Sequence, residues 1–230
     1  MCIRDSSYRY PKTQRESVNG KRHYVFDKEK LPSVTTILDI TQPAEKRESL
    51  AAWRAREGED NAARIVASSA ARGTAMHKYI EEHLVGQKHL NIEASTNEPY
   101  LMAEKIIHDG LYSLDELWGC EVTLSYPDLY AGTADACGVY DGIQSIIDFK
   151  QSNKPKKRQW IEDYFIQLAA YAMAHNIEYS TNISQGIILM CTPPPQIMFQ
   201  KFVIDGDEFK NYQDKFLEKV NQFNSMGSIN

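Results

Sequence analysis

Apolar positions recur at helical spacing through most of the first half of the chain and alternate through much of the second. The start is an exception. Within residues 8–26, "VNGKRHYVF" sets Asn19-Gly20 between two short alternating segments, the pattern of a two-residue hairpin turn. "LPSVTTIL" follows, with Pro32 as a stop and Ser33 as the N-cap of a short helix. Residues 44–85 are Ala-rich and helical in period, with breaks expected near Gly58 and Gly73, and a further helix is expected over 98–117. The period then becomes two. "CEVTLSY", "YAGTADACGVYDG" and "IQSIIDFKQ" read as successive strands joined by turns at Pro127-Asp128 and Asp141-Gly142. "QWIEDYFIQLAAYAMAHN" returns to helical spacing, strands in "SQGIILMCT" and "QIMFQKFVI" flank the breaker "PPP", and an amphipathic helix is expected over 207–223. This order predicts an α/β fold with a central mixed sheet flanked by helices and an N-terminal helical portion that forms an arch or lid. The expected organisation is an extension or hairpin over 1–30 and one domain over 31–230, mainly helical to 118, with the sheet core and last helix from 119.

Composition adds little to this picture. The 230 residues are 42% hydrophobic and 25% charged, as in an ordinary globular protein. No apolar run approaches the roughly 20 residues of a membrane helix. The opening "MCIRDSS" lacks the apolar stretch of a secretory signal and reads as a ragged or cloning-derived end; a cytoplasmic location is expected. Cys2, Cys120, Cys137 and Cys191 form no CxxC pair, which argues against zinc and against a disulfide scaffold. The net charge of −5 gives no global basic field, yet Lys and Arg cluster over 154–158 and recur at Lys46, Arg47, Arg54, Arg56, Arg64 and Arg72, where a groove can collect them.

The chemistry concentrates on two strands. Asp135 lies mid-strand in "AGTADA", and Asp148 and Lys150 lie on the strand after it. Residues 148 and 150 point the same way, and a hairpin partner can bring Asp135 beside them. Two carboxylates that close repel unless a proton or a cation compensates, so the arrangement is either a partly protonated pair or a divalent-metal site. Hard carboxylate oxygens favour Mg²⁺ or Mn²⁺. The plainer alternative puts Asp148 and Lys150 on the solvated face of an edge strand. Against it, Ile146 shares their side while Ile147 and Phe149 take the other, so neither face is plainly polar.

"GTAD", then "DFK", then "QLAAY", preceded by "RGTAMH" and Glu121, resembles the PD-(D/E)xK nuclease superfamily in its RecB-like branch. "LPSVTTIL" followed by "RGTAMHKYIE" is most similar to the mitochondrial genome maintenance exonuclease group and its phage relatives. The likeness runs over about residues 31–175. It implies a restriction-endonuclease-like core with Asp135 and Asp148 as metal-binding carboxylates, the Phe149 carbonyl as a further oxygen ligand and Lys150 as the catalytic lysine, acting on the attacking water or on charge at the phosphate. His77 would be a metal ligand, against the plainer reading of a histidine satisfied by its helix neighbours. Glu121 would complete the metal shell or act as a base, or else is a charge on an outer strand face. Gln167 and Tyr171, one helical turn apart, would contact the nucleic-acid backbone, with Arg72 and Ser33 as further phosphate contacts. Ala134 departs from the proline of the superfamily's name. One or two Mg²⁺ or Mn²⁺ ions are implied. Three closely spaced downstream cysteines are missing, so no iron-sulfur cluster is expected.

The run Lys154, Lys156, Lys157, Arg158 would then hold the polyanion, with Trp160 and Tyr164 stacking bases, which favours single strands; the alternative is a solvated loop. The resemblance implies a DNA exonuclease of replication, repair or recombination in a bacterial or phage-infected cell. No GxxxxGKS or GxxxxGKT motif is present, so unwinding would need a helicase partner, and a single-strand-binding protein is a second candidate partner. Two rivals stand beside it: a non-catalytic nucleic-acid-binding protein on the same fold, and a structure- or sequence-specific endonuclease.

Overall fold

The computed structural model describes residues 8–18, 20–26, 29–86 and 97–227; the "MCIRDSS" end with Cys2, and the turn residue Asn19, lie outside them. The segments around Gly20 pair as an antiparallel hairpin of β1 (Gln14–Val18) and β2 (Lys21–Phe26). Gly20 has φ +74°, a conformation that glycine reaches without steric cost. The hairpin is shorter than expected and gains a third strand, β3 (Glu29–Pro32), whose four residues are too few to show alternation. Tyr24 and Leu31 bury against Ala131, which anchors this small sheet to the large one.

Ser33 caps α1 (Val34–Ile40): its Oγ accepts the N–H of Thr36 at 3.0 Å, a contact worth about 1 kcal/mol. Next come α2 (Ala44–Glu57), which buries no residue, and α3 (Glu59–Leu84), parted by Gly58 at φ +80°. The second expected break is wrong, because α3 runs through Gly73. One helical glycine costs only about 1 kcal/mol relative to alanine, too little to end a helix held against β6, where Gln151 Nε2 donates to the Ser69 carbonyl.

The fourth helix, α4 (Glu98–Gly110), ends seven residues before the expected 117, and β4 (Leu114–Tyr126) begins directly after a 3₁₀ turn over Leu111–Ser113. Register shifts between Leu114 and Glu116 and between Leu117 and Gly119 bring Leu114 and Leu117 into one apolar cluster. A bulged strand thereby imitates helical spacing. After β4 follow β5 (Tyr130–Tyr140), β6 (Ile143–Gln151), α5 (Glu162–Tyr179), β7 (Gln185–Cys191), β8 (Phe199–Ile204) and α6 (Gly206–Gly227).

Strands β4 to β8 form one sheet in chain order, antiparallel throughout except for the parallel β6/β7 pair that α5 connects. One face packs Ile146, Ile188 and Ile204 against α1, α5 and α6. The other packs Ile147, Phe149 and Ile187 against α3 and α4. The expected α/β class, a mixed sheet covered by helices, is what forms, and β6 splits its side chains between the two faces as its alternation demands. Cys137 and Cys191 are buried in strands and Cys120 is half-buried; burial pushes the Cys120 thiol up to about 12. Among the described residues no helix is long and apolar enough to cross a membrane.

Candidate active site

The site forms where two strands part. The β5/β6 ladder ends with Ala136 opposite Ile147, and one residue further Asp135 Oδ2 accepts the N–H of Phe149 at 2.7 Å. A side chain thus takes over a hydrogen bond that the ladder no longer makes. Asp148 and Lys150 project together: Lys150 Nζ donates to Asp148 Oδ1 at 2.8 Å and lies 2.7 Å from Oδ2, which itself accepts no directed hydrogen bond. Asp148 is 2% exposed. Burial pushes its carboxyl up to about 6, with Lys150 opposing and Asp135 adding to the rise. Burial acts downward on the Lys150 ammonium, but the charges of Asp148 and Asp135 outweigh it and hold it above the usual lysine range. Each of the two thus favours the charged form of the other against burial. Nζ also sits 5.0 Å from the centre of the Tyr164 ring.

His77 enters from α3 on the other side of the sheet. Its Nε2 lies 2.7 Å from the Phe149 carbonyl oxygen. A carbonyl only accepts, so Nε2 carries the proton, and in the neutral ring Nδ1 keeps its lone pair. That nitrogen faces Asp135 Oδ2 at 3.6 Å. Glu121 arrives from β4 with φ +49°, between the register pairs Cys120–Ala136 and Val122–Ala134 and so beside Asp135. A left-handed backbone at a non-glycine residue costs about 1 to 2 kcal/mol. Desolvation raises the Glu121 carboxyl, Asp135 raises it further, and His77 partly offsets both.

One ligand atom from each of His77, Glu121 and Asp135 falls within 4.8 Å of the other two. Two carboxylates with one imidazole suit a divalent ion with a preference for oxygen donors, such as Mg²⁺ or Mn²⁺. The resemblance implied His77, Asp135, Asp148 and the Phe149 carbonyl as ligands, with Glu121 completing the shell or acting as a base, and three of these side chains converge here. The other two have partners within the protein: Asp148 pairs with Lys150, and the Phe149 carbonyl accepts from His77.

These side chains line a cleft of about 650 Å³, together with Ser33, Gln167 and Tyr171. Gln167 Nε2 donates to the Tyr171 hydroxyl at 2.9 Å. The glycine of "GTAD" has a specific use here: a Cβ on Gly132 would stand 2.3 Å from Tyr171 Cε1. The remaining expected contacts lie off the cleft wall. Arg72 donates to Gln151 at 3.2 Å and to Asn153, and pairs with Glu98 at 3.2 Å, tying α3 to the end of β6. Arg158 pairs with Glu208 at 2.6 Å and donates to the Val203 carbonyl. Lys157 lies over the exposed Trp160 ring, and Lys154 and Lys156 do not line the cleft.

The hairpin supplies residues that the motifs did not mark. Arg15, Arg22 and Tyr24 line the cleft. An Arg15 guanidinium nitrogen donates to Thr133 Oγ1 at 2.7 Å, and the Tyr24 hydroxyl lies 2.9 Å from the same oxygen. Arg15 opposes Tyr24 and Ser17 opposes Arg22 in the hairpin register, so all four share a face. Alternation alone contains that fact; where the face docks it does not.

No family model matches the chain. Mitochondrial genome maintenance exonuclease 1 from Mus musculus is 27% identical over 201 residues, 84% of this chain and 59% of its own length. The proteins of that name from Xenopus tropicalis and Homo sapiens are each 27% identical over 84% of this chain, covering 57% and 58% of their own lengths. The chain thus spans less than two thirds of the length of these curated relatives. A crystal structure from Eubacterium rectale matches with a TM-score of 0.45 and 18% identity, over 67% of this chain and 64% of its own, too loose a superposition to assign a fold. Over most of its length the chain is similar to the mitochondrial genome maintenance exonuclease 1 proteins, a likeness that supports the PD-(D/E)xK-type nuclease resemblance of its motifs.

Proposed function

We propose that this chain is a Mg²⁺- or Mn²⁺-dependent deoxyribonuclease of the RecB-like branch that hydrolyses phosphodiester bonds from the ends of single-stranded DNA. The observation that carries this reading is the convergence of His77, Glu121 and Asp135 within 4.8 Å, beside a lysine held by a buried aspartate. The name of the relatives supports exonucleolytic action on DNA.

His77 Nδ1, Glu121 and Asp135 would hold the ion, and the Asp148 oxygen that accepts no hydrogen bond is a further acceptor open to a cation. When bound, such an ion lowers the pKa of water and neutralises charge at the scissile phosphate. The chain's own groups do the rest. The Phe149 carbonyl fixes the His77 tautomer so that its Nδ1 lone pair, on the side of Asp135, would be free to hold the ion. Asp148 keeps Lys150 extended into the cleft and charged, where Nζ orients the attacking water or donates to a phosphate oxygen as charge builds there. Gln167 and Tyr171, braced on Gly132, fit a contact to the sugar-phosphate backbone.

The test incubates the protein with end-labelled single strands, duplexes and covalently closed circles, with Mg²⁺ or Mn²⁺ and with chelator. Metal-dependent loss of linear strands with intact circles is expected, and Asp135→Asn should abolish it. Cleaved circles would make the chain an endonuclease; salt-sensitive binding without degradation would make it a non-catalytic binding protein.

A further inference from the structure

The cleft cations Lys150 and Lys78 have acid partners, Asp148 and Glu82, and beyond the cleft wall Arg72 pairs with Glu98 and Arg158 with Glu208. Arg15 and Arg22 differ. Both line the cleft, and among the described residues neither forms an ion pair. Arg15 is nonetheless held in place. Its guanidinium donates to Thr133 Oγ1 at 2.7 Å and its Cζ lies 5.5 Å from the centre of the Tyr24 ring. Thr133 is two residues before Asp135 on β5, so both side chains emerge on one face of that strand. Arg15 is also close enough to Glu121 for its charge to act on that carboxylate.

A guanidinium has five N–H donors in a planar fork. One direction is spent on Thr133, and no carboxylate of the described residues claims the others. The element beneath is fixed, because Tyr24 and Leu31 are buried against Ala131. Cations set on a packed sheet at the rim of an anionic cluster match an anionic ligand that must approach that cluster, and the fork suits paired phosphate oxygens.

We propose that Arg15 and Arg22 form a phosphate-binding wall, through which the N-terminal hairpin grips the sugar-phosphate backbone of a nucleic acid and holds it over His77, Glu121 and Asp135. The ligand class rests on the nuclease reading; the grip itself does not require cleavage. Arg15 and Arg22 are positioning residues, and the hairpin is part of the substrate site.

The test measures binding of a fluorescent single-stranded oligonucleotide, by anisotropy in chelator across a salt series, for the full chain and for Arg15→Gln, Arg22→Gln, Arg15→Lys and, as a control on α6 away from the cleft, Lys210→Gln. Removing one phosphate-binding charge should flatten the slope of log affinity against log salt by about 0.7 for a single strand. Arg15→Gln and Arg22→Gln should each show that change and bind roughly tenfold more weakly at low salt. Arg15→Lys should restore the slope while leaving affinity below the native level, and Lys210→Gln should match the native chain. Native slopes in both Gln variants, or an equal flattening in Lys210→Gln, would overturn the wall. These binding readouts are separate from cleavage: a chain that binds as expected but degrades nothing keeps the wall and loses the nuclease reading, and one that degrades DNA with unchanged slopes does the reverse.

Discussion

His77 donates its Nε2 proton to the carbonyl of Phe149 at 2.7 Å, across the sheet from the face that carries Asp148 and Lys150. A helix on one side and a strand end on the other are thereby joined at the point where β5 and β6 separate. The ring cannot rotate freely, and its second nitrogen is aimed at Asp135.

His77→Ala should weaken Mn²⁺ binding by about 10- to 100-fold, because the ligand and the bond that orients it disappear together. Isothermal titration with Mn²⁺ reads this without any nucleic acid present. Unchanged Mn²⁺ affinity would remove His77 from the ligand set.

Lys150→Ala should abolish cleavage and also destabilise the fold. It strands the Asp148 carboxylate, 2% exposed, without its cation, and breaking a buried pair in this way costs about 3–5 kcal/mol. The deficit should shrink as pH falls from 7 toward 5. An acid held above its ordinary range favours the fold in its protonated form, and loss of Lys150 raises Asp148 beyond about 6. Urea unfolding at both pH values measures it, and the paired variant Asp148→Asn/Lys150→Met should recover most of the loss.

His175 is fully buried in α5, stacked on Trp118, with Nε2 3.0 Å from the Tyr10 hydroxyl and Nδ1 2.8 Å from Thr181 Oγ1. Burial pushes it down to about 4. A histidine held neutral contributes stability that is fully present above its unfolded value near 6.5 and is lost as pH falls through about 4, roughly 3 kcal/mol in all. His175→Gln should lose less stability than the native chain between pH 7 and 4. Comparing the two chains cancels the carboxylates common to both.

Gly132→Ala should cost about 1–3 kcal/mol and reduce cleavage, because its methyl group would stand 2.3 Å from Tyr171 Cε1 and force the ring aside. Tyr171→Ala in the same chain should relieve the clash. A thermal-shift cycle over the four proteins should show a positive coupling; additive losses would mean that the two do not touch in solution.

Gly73, Leu114 and Arg158 depart from their local patterns for a shared physical reason. Gly73 reads as a helix breaker until α3 is seen held to the end of β6, where Gln151 Nε2 donates to the Ser69 carbonyl. Leu114 and Leu117 read as helix because a bulge changes the period of a strand. Arg158 reads as an unpaired cation because Glu208, its partner, lies 50 positions away. In each case a local pattern is answered by a residue remote in sequence.

Period-two alternation alone determined that Asp148 and Lys150 leave β6 on one side with Ile146, and that Ile147 and Phe149 leave on the other, because pleating is a property of consecutive residues. Hairpin alternation likewise placed Arg15 and Arg22 on one face. Tertiary structure alone decided that α3 delivers His77 to the Phe149 carbonyl, that Glu121 adopts a left-handed backbone beside Asp135, and that the N-terminal face carrying Arg15 closes over Thr133. Those contacts join segments remote from one another in the chain, and their geometry is set by how whole layers pack, which no local spacing encodes.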